Sequence, residues 1–313
     1  MSALSELSKL KVSRPTDLRA KRAARRDNKG AIIFLAPWLL GLLIITIGPM
    51  FASFYLSFTD YNLLQNPNWV GLENYIRMLS DSRLHQSLRV TFTYVIVGVP
   101  LQLAVALLIA VVLNRGMRGL AFYRSVFYLP SLLGGSVAVA ILWRQIFGMD
   151  GLVNQLLALV GIEGIGWISN PDTALGTIIL LHVWTFGSPM IIFLAGLRQI
   201  PTMYYEAAAV DGATRFQQFW RITLPMLTPI IFFNVVLQTI GAFQSFTQAF
   251  IVSGGTGGPS DSTLFYTMYL YNKGFKEFDM GYASAMAWLL VVIVGALTAA
   301  NFIASKYWVH YDD

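Results

Sequence analysis

A chain of 313 residues that is 56% hydrophobic and 12% charged, with a mean hydropathy of +0.59, is too apolar and too sparsely charged to be a water-soluble domain. The absence of cysteine excludes disulfides, thiolate metal sites, cysteine nucleophiles and cysteine-linked lipids. The net charge of +6 is gathered mainly at one end of the chain.

Residues 1–30 form a basic tail with nine Lys and Arg, including Lys21-Arg22 and Arg25-Arg26. Next to an apolar run, such a tail reads as a topogenic and anionic-lipid signal, so no nucleic-acid partner is expected. The first run, near Ile32 to Phe58, exceeds the roughly 7–15 apolar residues of a signal peptide, and no small-x-small site directly follows, so a retained anchor is expected. Trp69-Val-Gly-Leu-Glu-Asn-Tyr75 predicts a turn leading into a short interfacial helix. Further runs lie near Leu88 to Leu113, Phe122 to Phe147, Thr173 to Leu197, Pro225 to Val252 and Gly281 to Ser305. Each can cross a hydrocarbon core of about 30 Å as a helix, and none shows the dyad alternation of a barrel strand. The expected fold class is all-α and polytopic, with six spans within residues 31–308 and a short tail at 309–313. With an inside N-terminus, the inside segments hold sixteen Lys and Arg against six outside, a bias that places both termini on the cytoplasmic side.

No Asp, Glu, Lys or Arg falls mid-span, which argues against a proton- or sodium-coupled carrier. In the third span, Ser131 and Gly134-Gly135 follow Leu129-Pro130 and predict a loosened or kinked helix beside a cavity. The fourth span carries His182, Trp184, Thr185 and Ser188. A lone His makes neither a metal site nor a triad, and Trp184 suits either stacking on a sugar ring or packing. The fifth span is the most polar, with Asn234, Gln238, Thr239, Gln244, Ser245, Thr247 and Gln248. Asn234, Gln238, Gly241, Ser245 and Gln248 fall at i, i+4, i+7, i+11 and i+14, which predicts one face of a helix. Amides and hydroxyls in that pattern suit a neutral polyol, and equally serve as glue between membrane helices. Gly254 to Pro259 reads as a flexible turn, since no Lys-Ser or Lys-Thr follows to cradle a phosphate.

The polar stretch between the fourth and fifth spans is the most specific feature. Met203 to Val210 is rich in helix formers, with Thr202 expected as N-cap and Glu206 near the positive end of the helix dipole. Gly212 is expected to stop this helix in a left-handed conformation. Ala207 to Ala209 leave a smooth face, Glu206 offers a carboxylate, and Tyr204 and Tyr205 add bulk, which suits a docking helix. Leu224-Pro225 is expected to open the next span.

Glu206-Ala-Ala, three residues, Gly212, nine residues, then Ile222-x-Leu224-Pro225 resembles the signature loop of the membrane subunits of binding-protein-dependent ABC importers. Phe34-Leu-Ala-Pro37, Gly71-Leu-Glu-Asn-Tyr75, Arg124 with Leu129-Pro130, Trp143 through Phe147 with Gly151 and Asn154, and Gly257-Gly-Pro259 extend the likeness to MalF-type permeases of carbohydrate uptake. The resemblance implies a type I (MetI-like) permease fold and a non-catalytic subunit. Its implied partners are a second, MalG-type permease, an ATPase dimer that carries the ATP and Mg, and an extracytoplasmic sugar-binding protein. Coupling to the ATPase would then run through residues 202–212, using Tyr205, Glu206, Ala207, Ala208, Asp211 and Gly212 with Ile222, Leu224 and Pro225. The resemblance puts sugar contacts near Ser131 and Gly135, Trp184 and Thr185, and Gln238 with Ser245; the residue pattern adds Asn234, Gln244 and Gln248 to the pathway. A permease for another solute, such as glycerol phosphate, and a self-contained carrier are the competing readings.

Overall fold

The computed structural model describes residues 34–116 and 119–309. The expectations for the basic tail and for residues 310–313 therefore lie outside the described residues. The chain divides at Tyr55 into two units. In the first, helix α1 (Phe34–Leu56) is long and apolar enough to cross a membrane and contains a π turn at Leu42–Ile47.

In the second unit the described residues hold helices and a single isolated bridge, Thr59 to Trp69. The short helix α2 (Glu73–Ser80) follows a turn at Gly71, as the sequence predicts. Asp81 then caps α3 (Ser82–Leu113), its carboxylate accepting from the N–H groups of Arg83 and Leu84 at 3.0 Å. Several later helices of this unit pack against α3, and Ala106 and Ala110 are fully buried along it.

The remaining spans are less regular than hydropathy predicts. The third run is two helices, α4 (Leu120–Leu133) and α5 (Val137–Ile146), at 95° to each other. Gly134-Gly135 ends α4, and the Ser136 hydroxyl caps α5 by accepting from Val139 N–H. After the short α6 (Leu152–Leu159), the fourth run comprises α7 (Pro171–Trp184) and α8 (Gly187–Leu197), bent by 42°. α8 crosses α4 so closely that a Cβ on Gly187 would sit 2.5 Å from the Phe127 carbonyl oxygen. The fifth run is corrected most. After α9 (Thr202–Val210), helix α10 (Arg215–Met226) is already formed before Leu224-Pro225, and it meets α11 (Thr228–Phe243) at 63°. Gln244 to Phe246 interrupt the run again before α12 (Thr247–Val252).

Two prolines share a signature. Gly48 N–H bonds to the Leu43 carbonyl just before Pro49, and Leu224 N–H bonds to the Phe219 carbonyl just before Pro225. In each case the missing proline N–H is accommodated by one wider, π-type turn upstream.

The loops and helix ends around Asp81 are tied by charge. Asp81 accepts the hydroxyls of Tyr269 and Tyr282, each at 2.7 Å, from α13 (Tyr266–Tyr271) and α14 (Met280–Trp308). Arg77 pairs with Asp279 at 2.7 Å, and Arg83 donates two bonds to Asp261. Burial raises the pKa of Asp81, but the two tyrosine hydroxyls and the Leu84 N–H outweigh it and hold the carboxyl below its ordinary 3.8. A depressed carboxylate stabilises the fold at pH values above its unfolded pKa, and that contribution is lost as pH falls through the folded value. Asp81→Ala is expected to cost about 2 kcal/mol, lowering the melting temperature of the purified protein at neutral pH, with the gap from wild type closing in acid below 3.8.

Candidate functional site

Three helix breaks meet at one cavity. Its volume is about 510 Å³, within the roughly 300–1,000 Å³ of ligand sites. The breaks are those after α4, between α7 and α8, and after α11. Non-helical backbone at membrane depth survives only where protein or a water-filled cavity satisfies it, and here side chains do so. Ser131 donates to the Thr185 carbonyl at 2.7 Å and accepts from Ser188 N–H at 2.8 Å. Gln248 donates to the Gly134 carbonyl at 3.1 Å, joining the first break to the third. Thr267 donates to the Ser245 carbonyl at 2.5 Å.

Of the pathway residues expected from the sequence, Ser131, Gly135, Thr185, Gln238, Gln244, Ser245 and Gln248 line this cavity. The expected single helical stripe is interrupted at Gln244, yet Gln238 and Gly241 before the interruption and Ser245 and Gln248 after it line the same space. Trp184 and Asn234 lie elsewhere. Trp184 packs against Trp143 with ring centroids 6.0 Å apart, and Asn234 is fully buried, donating to the Ile230 carbonyl at 3.0 Å. The sequence reading gave no pathway role to Tyr94, Gln102, His182 and Ser188, which also line the cavity. Gln102 had a signal: it is the only polar side chain between Val95 and Leu113. Among the described residues, no Asp, Glu, Lys or Arg belongs to the lining.

The second cluster is the polar loop. α9 begins after Pro201, with Thr202 as its first helical residue and not its cap, and the Pro201 ring presets the extended entry. It ends as a Schellman turn. Ala213 N–H bonds to the Ala208 carbonyl at 2.9 Å and Gly212 N–H to the Ala209 carbonyl at 3.1 Å, with Gly212 at φ +78°. Thr214 and Gln217 then form a capping box that starts α10. The spacing from Gly212 to Ile222 brings α10 back along α9, where Tyr205 Oη meets Thr223 Oγ1 at 2.9 Å. Glu206, Ala207, Asp211 and Gly212 are exposed, while Ala208, Ile222, Leu224 and Pro225 are half-buried. A cleft of about 330 Å³ opens between the two helices beside Ala208, Gly212 and Ile222.

Residues 75–307 match the family described as "Binding-protein-dependent transport system inner membrane component". A Bacillus subtilis (strain 168) relative, "Probable ABC transporter permease protein YesP", is 57% identical over 297 residues, covering 94% of this chain and 96% of the relative. "Lactose transport system permease protein LacF" of Rhizobium radiobacter is 33% identical over 88% of this chain and 93% of its own. "Trehalose/maltose transport system permease protein MalF" of Thermococcus litoralis is 31% identical over 90% and 95%. A chain of a bacterial alginate ABC transporter, solved in complex with an alginate pentasaccharide-bound periplasmic protein, superposes with a TM-score of 0.76 at 20% identity, covering 91% of this chain and 96% of that one, and shares the fold. The match across most of the chain, the relatives above 30% identity and the shared ABC-importer fold lead to one assignment: the chain belongs to the family of inner-membrane components of binding-protein-dependent transport systems.

Proposed function

We propose that this chain is the sugar-translocating permease subunit of an ATP-driven importer, carrying a neutral saccharide through the cavity at the three helix breaks. The single observation that carries this reading is the cavity's lining of amides, hydroxyls and one imidazole with no charged residue. Such groups both donate and accept, which matches the hydroxyls of a polyol, whereas a phosphorylated solute would need a cation. Relatives named for lactose and for trehalose and maltose support the substrate class. The chain performs no chemistry of its own in this reading; ATP and Mg sit on a partner ATPase dimer. That dimer docks on α9 through Glu206 and the alanine face, and closure of the ATPases is transmitted through this helix to a pair formed with a second permease. A sugar-binding protein delivers the substrate from outside, and both termini face the cytoplasm.

The test is uptake of radiolabelled mono- to tetrasaccharides, with glycerol phosphate alongside, by proteoliposomes holding the complete transporter and its binding protein. ATP-dependent accumulation of a neutral saccharide is expected. Accumulation of glycerol phosphate alone, or uptake that persists without ATP, would overturn the reading.

A further inference from the structure

One residue of the cavity wall is doubly committed. Gln102 is 2% exposed, in the middle of the otherwise apolar stretch of α3. Its side-chain nitrogen donates to the His182 carbonyl at 3.1 Å, the Thr185 carbonyl at 3.2 Å and Thr185 Oγ1 at 3.1 Å. Thr185 Oγ1 spends its own proton on the His182 carbonyl at 2.7 Å, so it can only accept from Gln102. All three partners are acceptors, which fixes the orientation of the amide: the nitrogen, and not Oε1, meets the carbonyls and hydroxyl of the α7–α8 break. Gln102 Oε1 is buried without a partner, in a residue that lines the cavity.

The same face of α3 presents Tyr94 and Gly98, at i−8 and i−4 from Gln102. His182 packs there, its ring centroid 5.1 Å from that of Tyr94 and its Cδ2 3.2 Å from where a Cβ on Gly98 would lie. His182 Nε2 is a second buried polar atom without a partner. A buried acceptor with nothing to accept is unfavourable, and a cavity-filling hydroxyl is the simplest group that satisfies it.

We infer that Gln102 is a specificity-determining residue, whose Oε1 accepts a hydrogen bond from one hydroxyl of the saccharide in transit while its nitrogen holds the α7–α8 break open. The inference rests on the sugar-permease reading and deepens it: the second span, apolar by hydropathy, reads one hydroxyl position of the substrate. A site built to pair with a hydroxyl rejects the analogue that lacks it far more strongly than a hydrophobic pocket rejects a size change.

The experiment uses the complete transporter with its binding protein, the saccharide giving the highest uptake in the panel above, and its monodeoxy derivatives. The binding protein is saturated with each sugar, so that discrimination by the permease is read alone. Wild type is expected to take up one monodeoxy derivative about tenfold or more less efficiently than the parent. Gln102→Met, similar in shape but with neither donor nor acceptor, should bring that ratio close to one while lowering parent uptake. Gln102→Glu keeps an oxygen at the same place and should retain the discrimination at reduced rate. Equal uptake of every derivative by wild type would overturn the inference without recourse to any variant. So would a Gln102→Met protein that lowers parent and derivative by the same factor, since a merely structural role leaves the ratio untouched. Absence of saccharide uptake by wild type would instead remove the functional reading and this inference with it.

Discussion

Glu206→Arg is expected to cut recovery of the ATPase with the tagged chain by about a hundredfold or more, while the second permease stays bound. Glu206 is exposed, and no cation pairs with it among the described residues. The substitution therefore leaves the chain's own packing intact. α9 is held by other contacts, through Tyr205 to Thr223 and by the Schellman turn at Gly212. Removing one partner of a buried charge pair costs about 3–5 kcal/mol, and reversing the sign adds repulsion. Gly212 tests the same surface through backbone geometry. A Cβ there meets nothing within 4 Å, so any effect of substitution comes from φ +78° and not from a clash. Gly212→Asn is then expected to be mild, because Asn tolerates the left-handed region, and Gly212→Val is expected to shed most of the ATPase. Co-purification from native membranes measures both. Full ATPase recovery with Glu206→Arg would sink the docking role of α9.

Helix α9 was readable because its determinants are local. Gly212 stops it, and Thr214 with Gln217 restarts the chain within a few residues. Only its first residue was misassigned, since Pro201 took the role expected of Thr202. The spans were legible by hydropathy, but their breaks were legible only where glycine marked them. Gly134-Gly135 announced a weakness, though not a turn of 95°, because a hydropathy window averages across the interruption. Gln244-Ser245-Phe246 carries no glycine or proline, so periodicity ran through it. That break depends on long-range partners, Thr267 on the Ser245 carbonyl and Gln248 on the Gly134 carbonyl. Of the expected stripe, Gln238, Gly241, Ser245 and Gln248 reach the cavity, whereas Asn234, on the same face of the unbroken α11, lies a turn further from the break and is buried. Gln102 lay in plain sight as a lone amide in an apolar run, but its role needed the geometry of its three acceptors.

Adjacent glycines at the first break give the second large effect. A Cβ on Gly134 would lie 2.1 Å from Thr185 Cγ2 and 2.8 Å from the Pro130 carbonyl oxygen, whereas a Cβ on Gly135 meets nothing within 4 Å. Thr185 cannot rotate away cheaply, because its hydroxyl bonds to the His182 carbonyl and accepts from Gln102. Gly134→Ala must therefore push the break after α4 away from the α7–α8 break, straining the Ser131 bonds that join them. Overpacking of this kind costs about 1–3 kcal/mol, and saccharide uptake is expected to fall about tenfold or more. Gly135→Ala should transport nearly as well as wild type. Gly135→Phe sends a ring into a cavity of about 510 Å³, so it should abolish uptake while melting temperature and ATPase recovery stay near wild type. Uptake in proteoliposomes and thermal unfolding of the three variants separate the two effects. If Gly134→Ala proves as active as Gly135→Ala, the breaks are not locked together. If Gly135→Phe transports at the wild-type rate, the cavity is not the path.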